Sequence, residues 1–134
     1  MTRTETLSVV VERDIAFPPE RIWRALTQPH LIEEWLMKND FKPVVGDQFT
    51  LSGDWGSVEG RVLDVEASRS LSYTWEAFGL ESVVTWTLTP TSAGTHLRME
   101  QSGFRPDQSR FHQGAQTSWP QFLAKLEQVV VKLD

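Results

Sequence analysis

A chain of 134 residues, with 13 Lys plus Arg against 18 Asp plus Glu and a net charge of −5, has the length of one domain and no room for a second catalytic one. Its composition, 40% hydrophobic and 23% charged, is that of a globular core former rather than a disordered segment. The lack of cysteine excludes disulfides, thiolate catalysis and Cys-ligated metal centres, and an acidic balance with singly scattered basic residues argues against a nucleic-acid partner.

Met1 to Thr6 carries no apolar targeting segment, and nowhere do about 18 apolar residues run together, so the expectation is a cytoplasmic protein without a membrane span. Leu7 to Phe17 opens with Val9-Val10-Val11 and continues with period two until Pro18-Pro19 stops it, which predicts a first strand. Pro19 suits the first turn of a helix, Glu20 complements its dipole, and Ile22, Trp23, Ala25 and Leu26 supply an apolar side. After Thr27-Gln28-Pro29 the segment His30–Leu36 reads as a second short helix. The period then changes to two: Phe49 and Leu51, Val58 to Val65, then Leu71, Tyr73 and Trp75, each run closed by Gly, Ser or Asp. Gly60 and the adjacent Val62-Leu63 blur the alternation in the middle run and suggest a bulge. Val84, Trp86 and Leu88 alternate with threonines, and beyond the turn at Gly94 the residues Leu97 and Met99 alternate with His96, Arg98 and Glu100. In Arg110–Val130 the residues Phe111, Ala115, Trp119, Phe122, Leu126 and Val129 or Val130 form a helical stripe, with a kink expected between Gln116 and Pro120. No repeat or linker divides the chain, so residues 1–134 read as a single α+β domain: a six-stranded antiparallel sheet curling around one long C-terminal helix, with two short helices between strands 1 and 2.

Glu12 to Thr27 with Pro29, Glu34-Trp35, Glu59-Gly60-Arg61-Val62, Leu71-Ser72-Tyr73-Thr74-Trp75-Glu76, Thr85 to Pro90, Gly94-Thr95 and Ser118 to Leu123 with Leu126 follow one another in a familiar order. In these residues the chain resembles the helix-grip fold of the birch-pollen-allergen-like, START-like or SRPBCC superfamily. More narrowly it is similar to the activator-of-heat-shock-protein-90-ATPase homologues in their stand-alone bacterial form. It departs from that pattern at Ser118, where the family often has Gly, and at Val45-Gly46-Asp47, where a Pro-Gly-Gly turn is common. The superfamily holds lipid carriers, hormone receptors, polyketide cyclases and co-chaperones, so the resemblance implies a scaffold and a cavity rather than one activity.

Six tryptophans are the compositional anomaly. Trp35, Phe49, Leu51, Tyr73, Trp75, Val84, Trp86, Phe111 and Trp119, together with Phe122, fall on faces that point between sheet and helix. Each can serve as core filling; as a set they predict an elongated apolar cavity. Trp55, in the Gly-flanked turn Ser52 to Ser57, is a candidate for the cavity rim. His30, His96 and His112 lack metal-ligand spacing and read as surface or locally hydrogen-bonded groups titrating near the ordinary value, so no metal and no cofactor are expected. Arg13 shares parity with Val9, Val11 and Ile15 and calls for a carboxylate, with Glu59, Glu76 and Glu100 as candidates, either orienting a ligand or forming a structural pair. Asp54, Glu59 and Glu81 could act as general acid or base if they reach the cavity, but no nucleophile elbow or phosphate loop accompanies them, and the catalytic residues stay unassigned. Three functions fit: binding of a small hydrophobic ligand (lipid, aromatic or polyketide-like), a cyclase or hydrolase using the same cavity, and a chaperone-activating interaction protein, the last implied by the resemblance alone.

Overall fold

The computed structural model describes residues 6–133. Strand β1 (Leu7–Ile15) leads into helices α1 (Pro19–Thr27) and α2 (Pro29–Trp35), each with a proline in its first turn, where the missing N–H costs nothing. The chain continues through β2 (Lys38–Asn39), β3 (Gln48–Gly53), β4 (Gly56–Glu66), β5 (Ser70–Ala77), β6 (Leu80–Thr91) and β7 (Gly94–Phe104), and a single 3-10 turn precedes α3 (Ser109–Lys132). The sheet is antiparallel throughout, in the order β1-β7-β6-β5-β4-β3-β2, and it curves around α3 as a helix grip. Among the described residues it has seven strands rather than the expected six. The addition is β2, two residues that pair with Ser52 and Leu51 and are too short to show an alternating pattern in sequence.

Register explains which side chains meet inside. Val9, Gln101, Val84, Tyr73 and Val62 face one another across β1, β7, β6, β5 and β4, and the next row is Val11, Met99, Trp86, Leu71 and Val65. Between Val62 and Asp64 the register shifts, so Leu63 is the extra residue of a bulge and points outward, which accounts for the side-by-side apolar pair. Gly60 has a different cause: a Cβ there would lie 2.3 Å from Phe49 Cζ and 2.4 Å from the Thr74 carbonyl, so only glycine lets the Phe49 ring lie across the strand.

Helix α3 runs unbroken through Pro120, whose ring is exposed. Its second half seats Leu123, Leu126, Val129 and Val130 in the core. Arg21 of α1 fixes its end: Nε donates to the Val130 carbonyl at 2.8 Å, the same guanidinium reaches the Val131 and Leu133 carbonyls, and it stacks 4.3 Å over Phe17. These bonds satisfy carbonyls that a helix terminus leaves without partners.

Two sequence expectations are corrected here. Arg13 takes its carboxylate from Glu127 on α3 and not from Glu59, Glu76 or Glu100, so it forms a partly exposed structural pair between the edge strand and the helix. His96 does not titrate at its ordinary value. Its ring nitrogens lie 3.0 Å from a Glu12 oxygen and 2.7 Å from an Asp14 oxygen, and these two hydrogen bonds raise its pKa above 6.5. The two carboxylates are on the neighbouring strand, two residues apart, a juxtaposition that only the β1–β7 register creates.

Candidate functional site

At one end of the grip the first half of α3 touches the sheet's edge, with the His112 ring 5.3 Å from Phe104 and its Nε2 3.1 Å from the Ser8 carbonyl, and leaves a cleft beside it. The tips of the β3–β4 and β5–β6 hairpins, the end of β7 and the first turns of α3 converge there around an open cleft of about 310 Å³. The walls are aromatic. Trp75 and Trp119 lie 5.4 Å apart between ring centroids, and Phe122 sits edge-on to Trp119 at 5.5 Å. Phe111, Ala115 and Ser118 complete the helical side, and Met37, Ala77, Leu80 and Phe104 the remainder.

The rim is made by two hairpin turns. The β5–β6 turn has two residues, Phe78 and Gly79, both with positive φ (52° and 85°), flanked by the pair Ala77 and Leu80. That conformation favours Asn-Gly, and a phenylalanine held in it is an uncommon and costly choice. Phe78 is nevertheless 66% exposed, so burial does not account for its presence. Its ring lies 5.7 Å from that of Trp55 on the opposing hairpin tip, which is 52% exposed. Both rings fold back over glycine: a Cβ on Gly56 would come within 3.1 Å of Phe78, and one on Gly53 within 2.8 Å of Trp55 Nε1. The glycines therefore let two large exposed rings lie against one another at the mouth.

The floor carries one buried amide. Gln101 is 2% exposed and occupies a row that is otherwise apolar apart from the Tyr73 hydroxyl. The Trp119 indole N–H donates to its Oε1 at 2.7 Å, its own Nε2 donates to Ser82 Oγ at 2.9 Å, and Ser82 donates to the Trp75 carbonyl at 2.8 Å. Because an indole nitrogen can only donate, the amide's orientation is fixed. One of its two N–H groups is engaged with Ser82, and the residue lines the cleft.

Of the residues singled out from sequence, the structure gathers Trp55, Trp75, Phe111 and Trp119 at this cleft, with Phe122 beside them. Trp35, Leu51, Tyr73, Val84 and Trp86 lie deeper and fill the closed half of the concavity. There Trp35 and Trp86 meet edge-to-face at 5.7 Å, and Trp86 Nε1 donates to the Tyr73 hydroxyl at 2.9 Å. Burial pushes that hydroxyl well above its ordinary range, and the hydrogen bond from Trp86 offsets only part of the shift. Phe49 packs against Phe41 and Tyr73 and borders a separate polar depression of about 270 Å³ with Glu59 and Glu76. Asp54 and Glu81 do not line the aromatic cleft, and among the described residues no three His, Asp or Glu side chains gather as metal ligands. Phe78, Gln101 and Arg110 were missed. The signal for Gln101 was available, since it continues the parity of Leu97 and Met99, whereas nothing in Phe78-Gly79 distinguishes a functional ring from an ordinary hairpin tip.

A curved antiparallel sheet gripping a long helix, with an aromatic cleft at its open end, defines the class of fold. The family model for "Activator of Hsp90 ATPase homolog 1-like protein" matches residues 16–131, and the chain belongs to that family. A protein of Mesorhizobium loti solved by structural genomics is 62% identical, covers 96% of this chain and 99% of its own, and superposes with a TM-score of 0.93. DynU16, from the dynemicin biosynthetic locus, is 25% identical with a TM-score of 0.83; the match spans 93% of this chain and 47% of that one. The Aha1 dimer of Colwellia psychrerythraea shares the fold, with a TM-score of 0.84 at 18% identity, over 92% of this chain and 96% of that one. No curated protein matches the chain. Among the described residues no helix is long and apolar enough to cross a membrane.

Proposed function

We propose that the protein binds a small hydrophobic ligand in the cleft between the sheet's open end and the first half of α3. The observation that carries this reading is the rim. Phe78 accepts a left-handed backbone and 66% exposure to set its ring against Trp55, an arrangement that a core does not require and a ligand site does. Aromatic walls and one oriented buried amide fit the general pattern of ligand pockets, in which apolar area supplies affinity and few polar groups fix the pose.

Native mass spectrometry of the purified protein, followed by quenching of tryptophan fluorescence with flavonoids, fatty acids and polyketide-like aromatics, tests this. Saturable binding of at least one class is expected. Trp55→Ala should weaken it while changing stability by no more than about 0.5 kcal/mol, as is usual for an exposed side chain. Failure of the whole panel, or equal binding by the variant, overturns the reading.

A further inference from the structure

The cleft lining contains one charged side chain, Arg110, in the first turn of α3 at the mouth. This is a cation in a chain of net charge −5, and no Asp or Glu lines the same cleft. Arg13 pairs with Glu127, Arg98 with Glu100, and Arg105 with Asp107, the carboxylate three residues before Arg110. Among the described residues Arg110 makes no ion pair. A guanidinium beside aromatic walls is weakly hydrated and offers a planar fork of donors that matches a carboxylate.

Resting on the ligand-binding reading above, we infer that Arg110 is a specificity-determining residue and that the cleft takes small aromatic carboxylates, the anion held at the mouth and the ring system inside. The opposite end of such a ligand meets Gln101, whose side-chain amide suits a carbonyl or hydroxyl oxygen. A volume of about 310 Å³ lies at the floor of the range for small-molecule sites, roughly 300–1,000 Å³, and one or two fused rings fit within it. Cationic aromatics are disfavoured by the charge and neutral ones gain nothing from it. The site therefore discriminates by the sign of the head group as well as by shape.

The test compares 2-naphthoate with its uncharged analogue 2-naphthamide, by quenching of tryptophan fluorescence at low salt, in the wild type, Arg110→Gln and Arg110→Lys. The wild type should prefer the carboxylate by roughly tenfold, the scale of one charge-assisted hydrogen-bonded pair. In Arg110→Gln the ratio should fall close to one, and Arg110→Lys, which supplies a point charge without the fork, should lie between. Salt at about 0.5 M should shrink the wild-type ratio. Equal binding of both probes by the wild type, or an undiminished preference in Arg110→Gln, overturns the anion assignment and leaves the ligand-binding reading standing. If neither probe binds saturably to the wild type, the aromatic-carboxylate assignment falls, while the ligand-binding reading stands or falls with the wider panel.

Discussion

The two halves of the concavity use the same residue types to opposite ends. In the closed half, Trp35 and Trp86 are 2% and 0% exposed, and each indole N–H is consumed internally, by the Ala25 carbonyl at 2.8 Å and by the Tyr73 hydroxyl. At the open end, Trp55 and Phe78 stand largely in water on hairpin tips, one of them in a backbone conformation that a bulky residue adopts at a cost. An aromatic side chain is thus informative about function where its polar handle and its face are not already spent on the protein itself. Trp119 lies at the boundary, packed 5.8 Å from Trp86 on one side and lining the cleft on the other.

Substitutions sharpen this contrast. Trp86→Ala should cost about 3–5 kcal/mol, the range for emptying a large core site, since it also leaves the Tyr73 hydroxyl without its donor. A loss below about 1 kcal/mol in urea denaturation would show that the closed half is loosely packed and would erase the distinction between the halves. Phe78→Asn should act in the other direction. Asn-Gly is the preferred pair for this turn, so stability should rise by roughly 0.5–1 kcal/mol while affinity for aromatic ligands falls. A variant that gained stability and kept full affinity would reduce Phe78 to an accident of the hairpin.

The smallest expected effect belongs to neither half. His96 lies on the outer side of β7, and its folded pKa is raised, so the stability it contributes is fully present below pH about 6.5 and is lost as pH rises through the folded value. The urea midpoints of wild type and His96→Gln should therefore differ at about pH 6 and converge as the pH rises through the folded pKa. A difference that grew with pH would mean that the folded pKa is lowered rather than raised and would reverse the sign.

Much of this architecture was legible in the sequence because apolar periodicity reports directly on which face a strand or helix buries. The Val62-Leu63 doublet and Gly60 announced a disturbance in β4, although only the structure separates its two causes, a bulge at Leu63 and the Phe49 ring over Gly60. What periodicity cannot report is where a continuous stripe stops being core. Phe111, Ala115, Trp119, Phe122 and Leu126 form one uninterrupted pattern, yet Phe111 lies 36% exposed on the cleft and Leu126 is fully buried. Pairings across strands were equally hidden. Arg13 with Glu127, and His96 with Glu12 and Asp14, join residues more than eighty positions apart, and many carboxylates would have served each one as well on composition.

The bond from Trp119 to Gln101 gives the molecule a built-in gauge. That single indole proton is shared between the helix and the sheet at the point where the two diverge. Its exchange with solvent deuterium counts each separation of α3 from β7, apart from global unfolding, which the amide protons of β6 record. A ligand seated against Gln101 would slow that one proton more than the strand amides, so occupancy of the cleft can be followed as a rate, without a label and without knowing in advance what the ligand is.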